Sequence, residues 1–414
     1  MPVFRFKLQV ITPVHIGMDR SKDYIPGFDF IYHNGEYIVY SFNRLISQLS
    51  QSQQLQSSVL NAISAYLSNP DLKGLIDYIR SQRLVQHGIE LYRWRTSYGK
   101  EKKTIRRHIQ DGMGNWIIPG SSLKGSIRGI LATYLYRLHN LSGDINESQL
   151  FGGIDFNLMR FIHVTDCIMK TGQNRTAPVG IYPVKIFSGD IGPNNQYVGR
   201  WKNKDRHVDE FNPYDDFVTY YEMLKDDRLG SEEPAEGEFF ILWGWDSGQS
   251  ANFFNNNIKN HVQNVDYILK NTDPVWIIKT IQEHTNRFLE KEISYFENFQ
   301  NQALTDESFF DEIEWLRQEN NRDQNSCLLR VGANVGWHSI TADWKNYDFV
   351  KERISRNQKK NFKYQLKTRK IVFDLIPSQN NDVIKRFMLP GFVKLTLIKD
   401  PVSTNCSDSS LSKK

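Results

Sequence analysis

The chain has 414 residues, of which 39% are hydrophobic and 13% are aromatic. This apolar content excludes a wholly disordered protein, and the length favours two domains. The net charge of +5 is a small excess for a nucleic-acid-binding protein, so the distribution of charge along the chain is more informative than its sum.

Cysteine content and hydropathy indicate the cellular compartment. The three cysteines, Cys167, Cys327 and Cys406, are widely spaced and form no Cys-x-x-Cys pair. They argue against a zinc site or a disulfide framework and fit a reducing cytoplasm. No apolar run approaches the length of a membrane span, and the N-terminus lacks the apolar region of a signal peptide. We expect a cytoplasmic protein with no membrane contact, no metal and no cofactor.

Charge is concentrated in three segments. Residues 92–108 have a net charge of +6 and residues 351–370 a net charge of +8, whereas residues 205–238 have a net charge of −9. A bipolar chain of this kind can bring its basic segments to phosphates while the acidic segment faces solvent or a basic neighbouring subunit.

The first hundred residues combine strand and helix patterns. Val3–Ile11 alternates apolar and polar side chains, which predicts a half-buried strand. A hairpin is predicted over Phe28–Tyr40, with His33–Glu36 as its turn. Asn43–Leu67 and Asp71–Val85 are predicted helices.

The most distinctive motif starts with two isoleucines that lead into Pro119-Gly120. Ser121 and Ser122 follow as candidate N-caps of an amphipathic helix. The helical spacing predicts a buried stripe of Leu123, Ile127, Ile130, Leu131, Tyr134, Leu135 and Leu138. An ordinary capped helix would have these features too.

The start of this helix also suits an anion. Lys124 and Arg128 are four residues apart and share one helix face. Gly125 and Gly129 have the same spacing and are expected to let another backbone approach closely. Because helix N-termini attract negative charge, this arrangement favours contact with a phosphodiester backbone.

The remaining elements alternate in a β-α-β-β-α-β manner over both halves. The predicted strands are Phe161–Met169, Glu238–Trp245, Arg369–Leu375 and Phe392–Ile398, and the predicted helices are one opened by Asp273-Pro274 and one over Asp306–Arg317. This order predicts an α+β fold of two ferredoxin-like, RRM-like units with antiparallel sheets and helical insertions. We assign the first unit to residues 1–170, the second to residues 171–400 with an acidic insertion at 205–238, and a disordered tail to residues 401–414.

Three further segments are candidates for RNA contact. Segment 92–108 shows no helical or strand period and mixes cations with aromatic rings, a composition that follows phosphates and stacks bases. Glycines in Arg330–Trp337 can let backbone N–H groups approach phosphates, although no Walker or dinucleotide fingerprint is present. A solvated loop or a structural turn remains an alternative for each. The side chains singled out are Arg93, Trp94, Arg95, Arg106 and Arg107 in the first segment, and Lys367, Arg369 and Lys370 in a basic cluster that enters a strand.

Catalytic groups are sparse. His15 follows the first strand and is a candidate general acid or base, but no second histidine, tyrosine or lysine stands at a telling spacing from it. Asp166 also follows a strand, yet one carboxylate does not make a metal site. A structural histidine is the more common case, so we expect no enzymatic activity.

The order of these motifs resembles that of a known family. The motif Pro-Gly-Ser-Ser-Leu-Lys-Gly-x-x-Arg looks like the signature of the RAMP superfamily, the RNA-binding subunits of CRISPR effector complexes. The whole series is similar to the family of fifth Csm subunits of type III-A complexes. It consists of Thr12–Gly17, Pro119–Arg128, Leu150–Gly152, Arg330–Trp337, Lys367–Lys370 and Leu389–Leu395. Two departures are a glycine-rich loop with only two glycines and Pro-Gly-Phe where Leu-Gly-Trp is frequent.

The resemblance implies a function in a prokaryotic cytoplasm. It implies two fused RAMP units that bind crRNA near its 3′ end and cap the backbone of the complex, without cleaving RNA themselves. The implied partners are crRNA, other Csm or RAMP backbone subunits, and host nucleases during crRNA maturation for antiviral defence. The implied RNA contacts are His15, Gly17, Ser121, Ser122, Lys124, Arg128, Arg330, Gly332, Asn334, Gly336 and Trp337.

Two alternatives stay open at this point. One is a metal-independent endoribonuclease that cuts the CRISPR precursor with His15. The other is a cap subunit of a different type III complex. Replacing His15 by Ala would separate the endoribonuclease from a structural subunit. The enzyme would lose its cleavage activity, whereas the structural subunit has no such activity.

Overall fold

The computed structural model describes residues 2–19, 22–41, 43–44, 47, 53–68, 89–96, 103–139, 147–153, 157–171, 176–191, 196–203, 207–208, 210–226, 234–244, 273–299, 307–335, 368–377 and 383–398. The predicted helix at 71–85 and the tail at 401–414 lie outside these residues. The helices are α1 (Gln53–Ser68), α2 (Gly120–Leu138), α3 (Glu147–Phe151), α4 (Pro274–Glu297) and α5 (Glu307–Asn320).

Strands supply most of the remaining regular structure. In the first half they are β1 (Val3–Val10), β2 (Phe30–His33), β3 (Glu36–Tyr40), β4 (Glu90–Arg95), β5 (Ile105–Arg106), β6 (Ile117–Ile118), β7 (Ile162–Val164), β8 (Cys167–Met169), β9 (Val179–Ile191) and β10 (Tyr197–Lys202). In the second half they are β11 (His207–Val208), β12 (Thr219–Leu224), β13 (Glu236–Trp243), β14 (Ser326–Arg330), β15 (Arg369–Pro377), β16 (Val383–Met388) and β17 (Phe392–Ile398).

The first sheet is antiparallel and has β1 near its centre. Its strand order is β14-β17-β1-β13-β8-β6, and β7 also pairs with β13. The predicted alternation of β1 is confirmed, because Phe6, Leu8 and Val10 are buried. On the other face Arg5 and Lys7 form ion pairs with Glu238 and Glu236 at 2.7 and 2.8 Å. One face of this sheet is therefore core and the other is polar, as expected for an antiparallel sheet covered on one side.

Helices α2, α4 and α5 cover the buried face. Asp273 caps α4 by accepting the backbone N–H of Val275 at 2.9 Å, and Pro274 occupies the first turn, as predicted. Tyr134 of α2 meets Trp276 of α4 edge to face, with ring centroids 5.5 Å apart. The predicted stripe of α2 is buried except at Tyr134, which is half-buried, and at Leu138, which is 45% exposed. The prediction for Leu138 is wrong because the helix ends there, beyond its packing partners.

The second sheet is built on the long strand β9. Its order is β11-β10-β9-β12-β5, with β15 pairing both β9 and β16, and only the β12–β5 pair among these is parallel. A third sheet, β2-β3-β4, contains the predicted hairpin. Its turn has positive φ at both Asn34 (49°) and Gly35 (77°), the geometry that favours this residue pair.

The mixed helix and antiparallel sheet content confirms the α+β class. Two predictions about strands also need correction. Segment 92–108 is not without regular structure, because it contains the end of β4 and all of β5. The predicted strand over Phe161–Met169 is two strands, interrupted where the Thr165 hydroxyl accepts the backbone N–H of Phe240 at 2.9 Å.

Both large sheets take strands from either side of residue 170. The first combines β1 with β13 and β17, and the second combines β5 with β9 and β15. The acidic segment also contains β12, which pairs with two neighbouring strands of the second sheet. The division into units at 170/171 stays a prediction, and neither sheet is confined to one of the two units.

A glycine pair on α2 gives a test of this packing. An added Cβ at Gly120 would lie 2.1 Å from the carbonyl oxygen of Val164, whereas none of the described residues has an atom within 4 Å of one at Gly125. We expect Gly120→Ala to lower the free energy of unfolding by about 1–3 kcal/mol, because backbone must shift. Gly125→Ala should raise it by about 0.5–1 kcal/mol through helix propensity. Equal midpoints in urea denaturation would contradict this packing. Within the described residues the close backbone contact on α2 is at Gly120, and no backbone approaches Gly125 or Gly129.

Candidate nucleic-acid interface

The loop after β1 joins the first sheet to the second. The Thr12 hydroxyl accepts the backbone N–H of Phe392 at 2.9 Å, and the Pro13 carbonyl accepts that of Gly391 at 3.0 Å. Val14 exchanges backbone hydrogen bonds with Leu224 at the end of β12. These hydrogen bonds hold the loop against the start of β17, the turn before it and the end of β12. The conformation of the loop therefore depends on residues up to 380 positions away in the sequence.

The glycine-rich turn packs directly on this loop. Ala333 donates its backbone N–H to the His15 carbonyl at 2.8 Å. Gly332 has φ of +114°, and an added Cβ would lie 2.6 Å from the same carbonyl oxygen. Glycine is therefore required here by both conformation and space. We call residues 12–18, 331–335 and 389–391, together with Lys370, the loop cluster.

Asn334 and Lys370 form the polar part of the loop cluster. The Asn334 side chain is 2% exposed, and its Oδ1 accepts a hydrogen bond from Lys370 Nζ at 2.9 Å. Among the described residues, Asn334 Nδ2 is buried and has no hydrogen-bond partner. A buried amide donor without a partner is costly and is expected to meet water or a ligand oxygen.

His15 belongs to the loop cluster, and its ring is buried. Its Nδ1 donates to the Glu222 carbonyl at 2.8 Å, and the ring packs edge to face on Tyr221 at 4.9 Å and His108 at 5.9 Å. The pKa of His15 is lowered from 6.5 to about 4, chiefly by burial and also by the charges of Lys370 and Arg106, while the hydrogen bond to the Glu222 carbonyl opposes the shift. The histidine is therefore neutral at pH 7 and experiences a positive potential.

Glu222 and His108 connect the segments around His15. The Glu222 carboxylate is fully buried and accepts hydrogen bonds from the hydroxyls of Tyr24 (3.1 Å) and Tyr92 (2.9 Å) and from the backbone N–H of His108 (2.9 Å). Burial raises the Glu222 pKa. His108 accepts the N–H of Ile16 at Nδ1 and donates from Nε2 to the Ile117 carbonyl, and burial lowers its pKa to about 3.

These two histidines predict a loss of stability in acid. The unfolded chain begins to bind protons at histidine near pH 6.5, whereas folded His15 does so only near pH 4. Stability is fully present above pH 6.5 and falls as the pH drops towards 4, at about 1.4 kcal/mol for each unit of pKa difference. Urea denaturation of the wild type and His15→Asn between pH 7 and 4.5 checks this, because the variant should show a shallower decline. Parallel declines would contradict the assignment.

The start of α2 is organised differently from the prediction. Pro119 is the N-cap residue, and its own side chain makes no capping hydrogen bond. Ser121 and Ser122 lie inside the first turn, and the Gly120 N–H is bound instead by Asp166 Oδ1 at 2.7 Å. The N-cap prediction for the serines was wrong, because the buried Gly120 starts the helix one residue earlier.

Lys124 and Arg128 lie together on α2, as the spacing predicts. Lys124 is half-buried, and its pKa is lowered by burial and by the Arg128 charge. The Arg128 guanidinium lies over the Phe151 ring, 5.4 Å from its centroid. Two cations held close together on one helix face give that face a positive potential, which favours an anionic partner.

Comparison with known proteins identifies the family to which the chain belongs. The model of the RAMP superfamily matches residues 7–387. The chain belongs to the RAMP superfamily. A curated relative of this RAMP protein is the "CRISPR system Cms protein Csm5" of Streptococcus thermophilus, 26% identical over 170 residues. That alignment covers 38% of this chain and 45% of the relative, so the chain matches less than half of the relative's length.

Two solved structures have a similar fold. One is a chain in "Cryo-EM structure of Csm-crRNA-target RNA ternary complex in type III-A CRISPR-Cas system", with a TM-score of 0.61, 16% identity, and coverage of 96% of this chain and 100% of that chain. The other is "Crystal structure of T.onnurineus Csm5", with a TM-score of 0.53, 16% identity, and coverage of 94% and 99%. At this identity the likeness establishes the shared fold.

Several predicted site residues of this RAMP protein are engaged in internal contacts. Arg369 is 3% exposed and forms a bidentate ion pair with Glu292, both distances being 2.8 Å. Arg330 lies over the Phe288 and Phe392 rings and donates to the Pro390 carbonyl at 3.0 Å. Both guanidinium groups therefore make contacts within the protein. Gly336, Trp337 and Lys367 lie outside the described residues.

The basic residues of segment 92–108 divide into exposed and packed groups. Arg93 and Arg95 are 51% and 85% exposed and pair with glutamates at the surface. Trp94 packs on Tyr182, with centroids 5.2 Å apart, and covers Gly180. Its ring is therefore engaged by the second sheet. In the same segment Arg106 pairs with Asp23, and Arg107 lies over the Tyr24 ring at 5.0 Å.

Three residues around His15 were missed from the sequence. His108, Tyr221 and Glu222 are 93, 206 and 207 positions away from it, and no spacing rule joins residues that only a sheet brings together. Among the described residues, no three His, Cys, Asp or Glu side chains cluster as they would around a metal ion. Within the same ranges, no helix has the length and apolar composition to cross a membrane.

Proposed function

We propose that this RAMP protein is a non-catalytic subunit of a type III-A Csm effector complex that binds crRNA near its 3′ end and caps the backbone of the complex. The observation that carries the proposal is the loop cluster, which combines Lys370, the buried Asn334 amide and the glycine-rich turn where the loop after β1 meets both sheets. The match to the RAMP model over residues 7–387 supports it. So does the shared fold with a chain of a Csm-crRNA complex.

The chemistry of the loop cluster suits a phosphate backbone. Lys370 provides a positive charge, Asn334 an amide donor, and Gly332 the close approach that a side chain would block. Ala333 is exposed at the tip of the turn. Lys124 and Arg128 on α2 provide a second basic site. We assign the main RNA contacts to these groups and to Gly17, with affinity that depends strongly on salt and little on sequence.

The endoribonuclease alternative has less support. His15 is 4% exposed, its Nδ1 is held by the Glu222 carbonyl, and its pKa of about 4 makes the protonated form scarce at pH 7. A general acid needs a pKa near the working pH and access to its substrate. His15 fits better as a residue that positions the glycine-rich turn.

The wider biological role follows from the same proposal. A cap at the 3′ end would determine where host nucleases stop trimming, so the subunit would be needed for crRNA maturation and for antiviral defence. Other Csm backbone subunits are the proposed protein partners. A cap subunit of another type III complex remains the second candidate, because the RAMP fold is common to both.

A tagged pull-down from the native cell tests the proposal. We expect other Csm subunits and mature crRNA to co-purify with the protein. Recovery of subunits from another type III complex would favour the second candidate. Recovery of the protein with CRISPR precursor and its cleaved fragments, together with loss of cleavage in His15→Ala, would overturn the non-catalytic assignment.

A further inference from the structure

A pocket lies beside the loop cluster and is not used by the proposed phosphate contacts. Its volume is about 310 Å³, and it is lined by residues of the third sheet, of the turn before β2 and of the segment after β5. The lining includes Tyr24, Asp29, Tyr40, Leu91, Arg107 and Gln110. This volume is in the range of small-molecule sites and matches a single nucleoside better than a folded partner.

The polar groups in the pocket have opposite charges and are held in place. Asp29 accepts the backbone N–H of Ile25 with Oδ2 at 2.7 Å, and burial raises its pKa while the Arg107 charge opposes the rise. Arg107 Nη2 donates to Gln110 Oε1 at 2.6 Å. In the part of the chain that the structure describes, Arg107 Nε is buried and makes no hydrogen bond. The pocket thus offers a carboxylate acceptor and two guanidinium groups, those of Arg107 and Arg44.

This combination discriminates among ligands. A bare phosphate would meet the Asp29 carboxylate as well as the two arginines, and a lipid chain is disfavoured by all three ionic groups. A planar base with donors on one edge and acceptors on another satisfies both the carboxylate and an arginine. Guanine is the base with two adjacent donors, N1–H and N2–H2, which a carboxylate accepts together. Its O6 and N7 are the acceptors that arginine recognises most often.

We infer that this pocket receives one unstacked guanine base, with Asp29 accepting from its N1–H and N2–H2 groups and Arg107 donating to O6 or N7. Tyr24 and Leu91 provide the apolar walls. The inference rests on the proposed function in that the base belongs to the bound RNA. It adds a sequence preference to a protein whose phosphate contacts provide none.

Binding of mononucleotides to the full-length protein tests the pocket. We would titrate 5′-GMP, AMP, CMP and UMP, and expect GMP to bind at least about tenfold more tightly than the other three, as for a bidentate base contact. Asp29→Asn keeps an oxygen for the Ile25 N–H but loses the second acceptor, so the preference should disappear. Glu283→Gln removes one charge from an exposed position of α4 and should leave the preference unchanged.

Three results would overturn the inference: no binding of GMP, equal binding of the four nucleotides, or an unchanged preference in Asp29→Asn. If thermal unfolding shows that Asp29→Asn is misfolded, Arg107→Gln replaces it with the same expected loss. Retention of a single-stranded RNA is measured in parallel. RNA retention without a GMP preference refutes the pocket alone, whereas a GMP preference without RNA retention refutes the proposed function alone.

Discussion

Replacing Glu292 by Gln should lower the free energy of unfolding by about 3–5 kcal/mol, the usual cost of leaving one member of a buried ion pair uncompensated. Glu292 lies on α4 with no exposed surface, and both of its oxygens accept hydrogen bonds from Arg369 of β15. The Arg369 guanidinium also lies over the Tyr295 ring, 3.8 Å from its centroid. In the variant this charge stays buried and loses the carboxylate that both of its hydrogen bonds reach. Urea denaturation followed by circular dichroism measures the effect.

The same helix offers a matched control. Glu290 pairs with Arg317 at 3.3 Å, but its side chain is 54% exposed. Glu290→Gln should change the unfolding free energy by less than about 1 kcal/mol, because water already screens this pair. Replacing both buried partners, as Glu292→Leu with Arg369→Met, should recover most of the loss. Equal effects of the two Gln variants would mean that the buried pair contributes no more than a surface pair.

Local patterns in the sequence predicted the elements well because those patterns have local causes. Asp273-Pro274 starts α4 as predicted, since a cap and a first-turn proline act within four residues. The turn at Asn34-Gly35 adopts the positive φ values that these residues tolerate. The α+β class followed from the alternation of such elements.

The arrangement of the candidate site depended on long-range pairing that the sequence does not encode locally. His15 meets His108 and Tyr221 only because β1, β5 and β12 are brought together by the two sheets. Arg369 reads as an RNA-binding cation in a basic run, yet its partner Glu292 is 77 residues away. The basic run in the sequence therefore indicated a candidate segment for RNA contact. Only the structure shows which of its charged side chains are buried.

Reversing the charges of Lys124 and Arg128 together should weaken RNA binding by roughly 10–100-fold at low salt, because two phosphate contacts are lost and like charges are introduced. The two cations share one face of α2, and the pKa of Lys124 is lowered first by burial and then by the charge of Arg128. The slope of log affinity against log salt concentration is negative, and its magnitude should decrease by about 1.4, the value for the loss of two phosphate contacts to a single strand. Fluorescence anisotropy with a labelled single-stranded RNA over a range of salt concentrations measures both quantities.

A control with the same change in net charge separates local contact from overall electrostatics. Arg137, at the far end of α2, and Lys279, on α4, are both exposed. Reversing them together should lower affinity only slightly and leave the salt slope unchanged, because a distant surface charge is screened beyond about 10 Å at 0.1 M salt. If both double variants weaken binding equally, the first turns of α2 are not an RNA contact and only the net charge matters. If neither does, RNA binding depends on the loop cluster alone.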